Sequence, residues 1–270
     1  MTPDLTLAHD RSGPTDAPCL LLLHAGVADR RMWDPVWDRL TAAHDTLRVD
    51  LRGFGESTAA PSDGWSLATD VLATLDALGL DRVHVVGASL GAAVGVEVAL
   101  LRPAAVQSLV LLAPGGSLIP GRTDDLRAFA AAEDDALERG DLDAAAQVNV
   151  DTWLVGPGRA ADAVPEDVAT RLHAMQRRAF EIQLSWPEVD EAEPDPPMLD
   201  RLGEIAVPTL VLQGGHDLDA IVQAADAVAA GVLGVRRIDW PDVAHLPSLE
   251  RPDDVVALVE EWIGRSTDPG

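Results

Sequence analysis

Three residues far apart along the chain, Ser89, Asp217 and His245, are of the types that together make a hydroxyl nucleophilic. A serine hydroxyl attacks a carbonyl carbon poorly until an imidazole takes its proton. The imidazole in turn needs a carboxylate to hold its tautomer and to balance the imidazolium. Ser89 lies in Gly87-Ala88-Ser89-Leu90-Gly91, between a β-branched run over residues 83–86 and an Ala- and Val-rich stretch over 90–101. A strand that turns into a helix across such a Gly-x-Ser-x-Gly strains the serine, lifts its hydroxyl above the sheet and sets it at the positive end of the helix. The five letters alone recur by chance, so the strand-to-helix setting carries the inference.

The partners are expected in strand-end loops on the same edge of the sheet. The apolar run 209–213 leads into Gly214-Gly215-His216-Asp217-Leu218-Asp219, and residues 235–239 lead into the loop 240–247 with His245. The chain order is then Ser, Asp, His. Asp217 is preferred to Asp219 because it lies nearer the strand end. Of the other six histidines, His9 and His44 fall in edge or surface contexts, His84 inside a strand, His173 in a helical region and His24 in the first loop, while His216 shares a loop with the acid. Attack on a carbonyl also creates an oxyanion that two backbone N–H groups must meet. Leu90 supplies one, and the loop after residues 19–24 supplies the other, from Gly26 with Val27 next. Trp153, Met175 and Trp186, together with Val27 and Leu246, are candidates to line an apolar substrate pocket, although Met and aromatic positions serve as readily in packing.

Those loops need a rigid frame, and strand-like runs alternate with helical ones. Residues 5–9 read as an edge strand, 19–24 as a fully buried strand, 33–43 as a helix and 46–49 as a strand. Residues 66–79 form a helix with apolar positions on one face, and 106–112 are another strand. After the Ala-rich, acid-rich stretch 117–203 the rhythm resumes with a strand at 209–213, a helix at 220–230, a strand at 235–239 and a closing helix at 252–264. This alternation predicts a mostly parallel, doubly wound α/β sheet covered on both faces. Residues 1–116 and 204–270 form its core. The segment 117–203 is a helical lid over the carboxyl edge, where ligands of open α/β sheets bind.

A length of 270 residues suits one sizeable domain. The formal charge of −25 argues against nucleic acid and anionic membrane as partners, since phosphate binding needs a basic footprint. The absence of lysine excludes Schiff-base chemistry. Cys19 is the single cysteine, so no intramolecular disulfide forms and a cytoplasmic setting is expected. The N-terminus lacks a secretion signal pattern.

With His24-Ala25-Gly26, Met32-Trp33, Asp50-Leu51-Arg52-Gly53-Phe54-Gly55-Glu56-Ser57, the Ser89 motif, Gly214-Gly215-His216-Asp217 and Ala244-His245-Leu246-Pro247, the chain resembles the α/β-hydrolase superfamily. The resemblance spans nearly everything outside 117–203 and is closest to lidded esterases, enol-lactone hydrolases and carbon–carbon hydrolases. It implies an eight-stranded sheet with the lid inserted after the sixth strand, and a Ser89–Asp217–His245 triad. Ala25 departs from the Gly usual after the first-loop His. A serine at the elbow and the absence of tyrosine set aside the dehalogenase and epoxide hydrolase branches.

The expected function is hydrolysis of a neutral or weakly polar ester or lactone through an acyl-enzyme, without cofactor or metal, by a monomer or homodimer. One alternative is carbon–carbon cleavage of an acidic ring-fission product, with Arg177 or Arg178 as countercharge. Another is a receptor-like ligand-binding module with little turnover.

Overall fold

The computed structural model describes residues 6–16 and 18–267. In chain order the strands are β1 (His9–Ser12), β2 (Cys19–Leu23), β3 (Thr46–Val49), β4 (Val83–Ala88), β5 (Val106–Leu112), β6 (Thr209–Gly214) and β7 (Arg236–Trp240). The principal helices of the sheet region are α1 (Asp34–Ala43), α2 (Leu67–Ala77) and α3 (Leu90–Leu101). Between β5 and β6 come α4 (Asp124–Glu138), α5 (Leu142–Asn149), a π-helical turn (Val150–Val155), α6 (Glu166–Gln183) and the short α7 (Met198–Arg201). Then follow α8 (Asp219–Gly231), α9 (Pro247–Glu250) and α10 (Pro252–Thr267).

The sheet order is β1-β3-β2-β4-β5-β6-β7, with β1 antiparallel to β3 and every other pair parallel. Strands such as Cys19–Leu23 are buried along their whole length because both faces are covered. Side-chain alternation divides the core into two layers. Leu21, Leu23, Val83, Val85, Leu109 and Val211 pack toward α2, α3 and α8, whereas Leu20, Leu22, Val86, Val110, Leu210 and Leu212 pack toward α1 and α10. The parallel register pairs Leu23 with Gly87, Ala88 with Leu112, Leu112 with Leu212, and Gly214 with Trp240. The loops after β2, β4, β5, β6 and β7 therefore open on one edge.

Three expectations are corrected. The sheet has seven strands among the described residues, where eight were expected. The helical segment accordingly follows the fifth strand rather than the sixth. The edge strand also begins later than residues 5–9: Leu5 lies outside the described residues, and β1 starts at His9. The physical reason is local. The N–H of Leu7 donates to Thr74 Oγ1 on α2 (3.0 Å), so the chain there is tied to a helix, and pairing with β3 starts only at His9–Val49.

Residues 117–203 contain no strand, as expected. α6 buries Leu172 and Met175 in the layer containing α1 and α10, Ala179 in the other layer, and Phe180 against Ala136, Ala145 and Ala146 of α4 and α5. No helix among the described residues is long and apolar enough to cross a membrane.

Candidate active site

Ser89 sits between β4 and α3 with φ 51° and ψ −112°. A non-glycine residue held there stores about 1–3 kcal/mol of strain, so its surroundings must over-determine it. Its N–H donates to Leu112 O (2.9 Å), and its carbonyl accepts from Ala92 (3.0 Å), Ala93 (3.2 Å) and Gly115 (3.3 Å). The bend also requires backbones to touch. A Cβ on Gly87 would lie 2.3 Å from Gly91 O, and one on Gly91 would lie 2.3 Å from Leu23 O, so only glycine fits at either place. Ala113, at the end of β5, is the other described non-glycine residue with positive φ, at 45°.

The acid and the imidazole meet. His245 Nδ1 and Asp217 Oδ2 are 2.8 Å apart, and the two side chains are 2% and 0% exposed. Asp217 Oδ1 accepts the N–H of Leu218 (2.8 Å), and Oδ2 also receives Nε2 of Gln213 (3.1 Å). The rivals are occupied elsewhere. The Asp219 N–H starts α8 and donates to Asp125 Oδ2 (2.7 Å), while His216 Nδ1 lies 3.3 Å from Pro157 O. His24 is buried and tautomerically fixed. Leu51 N–H can only donate, so Nε2 accepts it (2.9 Å), and Nδ1–H donates to Ala25 O (2.8 Å). Burial pushes the His24 imidazole below its usual pKa, so it stays neutral. His84 is likewise inside the sheet, lowered to about 4 by burial and 2.8 Å from Ser108 Oγ.

The first loop is shaped around Leu90. A Cβ on Gly26 would come within 3.4 Å of the Leu90 side chain. The N–H of Ala25 is spent on Met32 Sδ (3.2 Å) and that of Ala28 on Ala25 O (3.0 Å). Among the described residues, the N–H groups of Gly26, Val27 and Leu90 have no such partner, and Leu90 is the first residue of a helix, where donors are free by construction.

Val27, Trp153, Met175 and Leu246 share one apolar cluster with Leu218 and Ile221. The Trp153 ring lies 4.6 Å from the His245 ring, and Phe129 meets it edge-on at 4.9 Å. Trp186 is not in that cluster: it packs on Gly53 and, at 6.2 Å, against Trp65. Arg177 is half-buried and Arg178 is exposed. Arg177 pairs with Asp143 (2.9 Å) and Glu181 (2.5 Å), and Arg178 with Glu181 (3.5 Å). Among the described residues, no group of three His, Cys, Asp or Glu side chains is arranged to hold a metal ion.

Sequence reasoning missed two supports. Gln213 is one; its only sequence signal is an amide in an otherwise apolar strand, four residues before Asp217. The other joins the helical segment to the loop of His245. Arg159 Nη1 sits 2.6 Å from Glu250 Oε2, an ion pair without hydrogen-bond alignment, and Glu250 Oε1 accepts the N–H of Ala244 (2.7 Å). Beside it, a Cβ on Gly156 would collide with His216 O and Ala244 Cβ, so this stretch of the helical segment touches both loops. A pocket of about 410 Å³ lies beyond Leu90, with Glu97, Asp190, Glu191 and Glu193 among its lining residues. Burial and the neighbouring Glu191 push the Glu97 carboxyl up to about 7.

Comparison with known proteins places this geometry in context. The family model described as "Alpha/beta hydrolase family" matches residues 20–258. A RutD protein of Pseudomonas savastanoi, named for carbamate hydrolysis, is 41% identical over 100 residues, covering 36% of this chain and 39% of the relative. The chain thus aligns with about two fifths of the length of the RutD relatives. Carboxylesterase YbfK of Bacillus subtilis is 27% identical over 256 residues, covering 90% of this chain and 79% of the relative. Among solved structures, a hydrolase from Pseudomonas aeruginosa superposes with a TM-score of 0.77 at 28% identity, covering 96% of this chain and 94% of the other.

Proposed function

We propose, for a chain that belongs to the α/β-hydrolase family, that it hydrolyses a carboxylic ester or lactone through an acyl-enzyme, with Ser89 as nucleophile, His245 as base and Asp217 as the group that orients the base. The observation that carries this is the buried 2.8 Å Asp217–His245 pair, on the sheet edge where a strained serine opens a helix. As Ser89 Oγ attacks the acyl carbon, its proton passes to His245 Nε2, and the imidazolium gains the Asp217 carboxylate on Nδ1. The carbonyl oxygen becomes an oxyanion that meets the N–H groups of Leu90 and Gly26. His245 then protonates the departing alkoxide and afterwards draws a proton from water, which releases the acid. A lactone is an internal ester and follows the same steps without losing a separate alcohol.

Residues 117–203 act in this reading as the lid of the pocket, with Trp153, Met175, Val27 and Leu246 giving it an apolar wall. The carboxylates near Leu90 and the net charge of −25 disfavour anionic substrates. Carbon–carbon cleavage of an acidic product would call for a cationic pocket, and Arg177 and Arg178 are spent on exposed ion pairs. The ester reading is preferred, and YbfK, named as a carboxylesterase, supports it. The test is a panel of aryl esters, aliphatic lactones and a dienoate ring-fission product, run on wild type and Ser89→Ala. The reading expects turnover of the neutral esters or lactones and a loss of about 10⁴-fold or more in the variant. Equal rates for the two proteins overturn it, and an inert wild type that binds ligand tightly supports a receptor instead.

A further inference from the structure

We propose that Gln213 is a positioning residue for Asp217, its side-chain amide fixing the carboxylate oxygen that receives His245. The inference rests on the triad reading above and adds a residue to it.

Gln213 is 2% exposed, the last residue but one of β6, in the apolar run Leu210-Val211-Leu212. Its Nε2 donates to Gly214 O (3.0 Å) and to Asp217 Oδ2 (3.1 Å). Both neighbours are acceptors, so the amide cannot be reversed, because a reversed amide would turn a third acceptor toward them. In the only orientation allowed, both amide hydrogens are used and Oε1 is left buried, with no partner among the described residues.

An orphaned buried carbonyl lowers stability, and an apolar side chain of similar length would fill the same space without that loss. The compensating gain is on Asp217. Without Gln213, Oδ2 would be held by His245 Nδ1 alone, and that donor moves whenever the imidazole changes charge. With it, three donors at 2.8, 2.8 and 3.1 Å, from Leu218 N, His245 Nδ1 and Gln213 Nε2, define the plane of the carboxylate. Gln213 also comes from an interior strand that lies between β5 and β7, whereas Asp217 and His245 are on loops. The amide thus transfers the rigidity of the sheet to the acid, as outer hydrogen-bond partners do for ligating and reacting groups generally.

The test is Gln213→Met, an unbranched apolar side chain of similar volume, assayed on the best ester from the panel. The expected result is a kcat about tenfold lower with KM within about twofold. The thermal midpoint is not diagnostic, because the orphaned oxygen goes together with the donor to Gly214 O and Asp217 Oδ2. A kcat indistinguishable from wild type overturns the proposal, whatever the midpoint does. Should Gln213→Met not accumulate folded, the question passes to Gln213→Glu. Its protonated carboxyl keeps one donor for Asp217, and its ionised form faces that carboxylate with a like charge. Activity close to wild type at low pH, with a new decline on the alkaline side, supports the proposal, and a profile superposable on wild type overturns it. Ser89→Ala in the same assays separates the two levels: undiminished turnover there ends the triad reading itself, whereas its loss beside an inert Gln213 substitution ends only this inference.

Discussion

Trp153→Ala tests whether the helical segment between β5 and β6 completes the site or merely covers it. The indole is 7% exposed and touches both Phe129 and the His245 ring. A buried tryptophan hides about 200 Å². At about 25 cal/mol per Å² that is ~5 kcal/mol as an upper bound, and truncations of this type cost about 3–5 kcal/mol. We expect about 3–4 kcal/mol in denaturant unfolding, and a midpoint lower by about 6–16 °C at about 2–4 °C per kcal/mol. The variant also opens a void against the imidazole and admits water to it, and kcat/KM is expected to fall about 100-fold, ~2.7 kcal/mol of transition-state stabilisation. Trp153→Phe keeps a ring on His245 and is expected to stay within about tenfold. The decisive assay sets stability beside kcat/KM for both variants. If Trp153→Ala loses the expected stability yet keeps kcat/KM within about twofold, the indole is core only and residues 117–203 do not form the wall of the pocket.

Gly91→Ala puts a methyl 2.3 Å from Leu23 O, so the bend at Ser89 must shift; kcat is expected to fall by at least about 100-fold in steady-state assays, because a displacement of about 1 Å at the nucleophile suffices for that. Glu97 carries a pH signature: its carboxyl is harder to ionise in the folded protein, so its contribution is complete below the unfolded value and is lost as pH rises through about 7. Wild type should therefore lose thermal midpoint relative to Glu97→Gln between about pH 5 and 8, and parallel melting curves contradict the assignment. Arg159→Met strands the Glu250 carboxylate and is expected to cost about 2–4 kcal/mol in denaturant unfolding; adding Glu250→Gln should recover about half, since a buried pair is worse broken than absent. Additive costs in that cycle count against a clasp between the helical segment and the His245 loop.

The parts legible in the sequence are those written in local pattern. Residues 83–101 declare a strand, a bend and a helix, and the loops of Asp217 and His245 announce themselves because strand runs stop just before them. Choosing Asp217 over Asp219 needed only proximity to the strand end, and Asp217 is the one whose Oδ2 lies 2.8 Å from His245 Nδ1. What sequence withheld depends on contacts between distant segments. The start of β1 is decided by Leu7 reaching Thr74, and the position of Trp186 by Gly53 and Trp65. Trp153 was legible as an aromatic in a helical stretch, but its seat over His245 follows from the π-helical turn Val150–Val155 that aims it. The role of Gln213 turns on which end of an amide faces a carboxylate, and no spacing rule encodes that.

The most direct measurement of the central claim is covalent labelling with a fluorophosphonate ester, which reacts with activated serines and imitates the tetrahedral oxyanion, followed by peptide mass analysis. The account predicts one adduct per chain on Ser89, none in Ser89→Ala, and labelling slowed about 100-fold or more in His245→Ala. An adduct on another residue, or an undiminished rate without the imidazole, contradicts it.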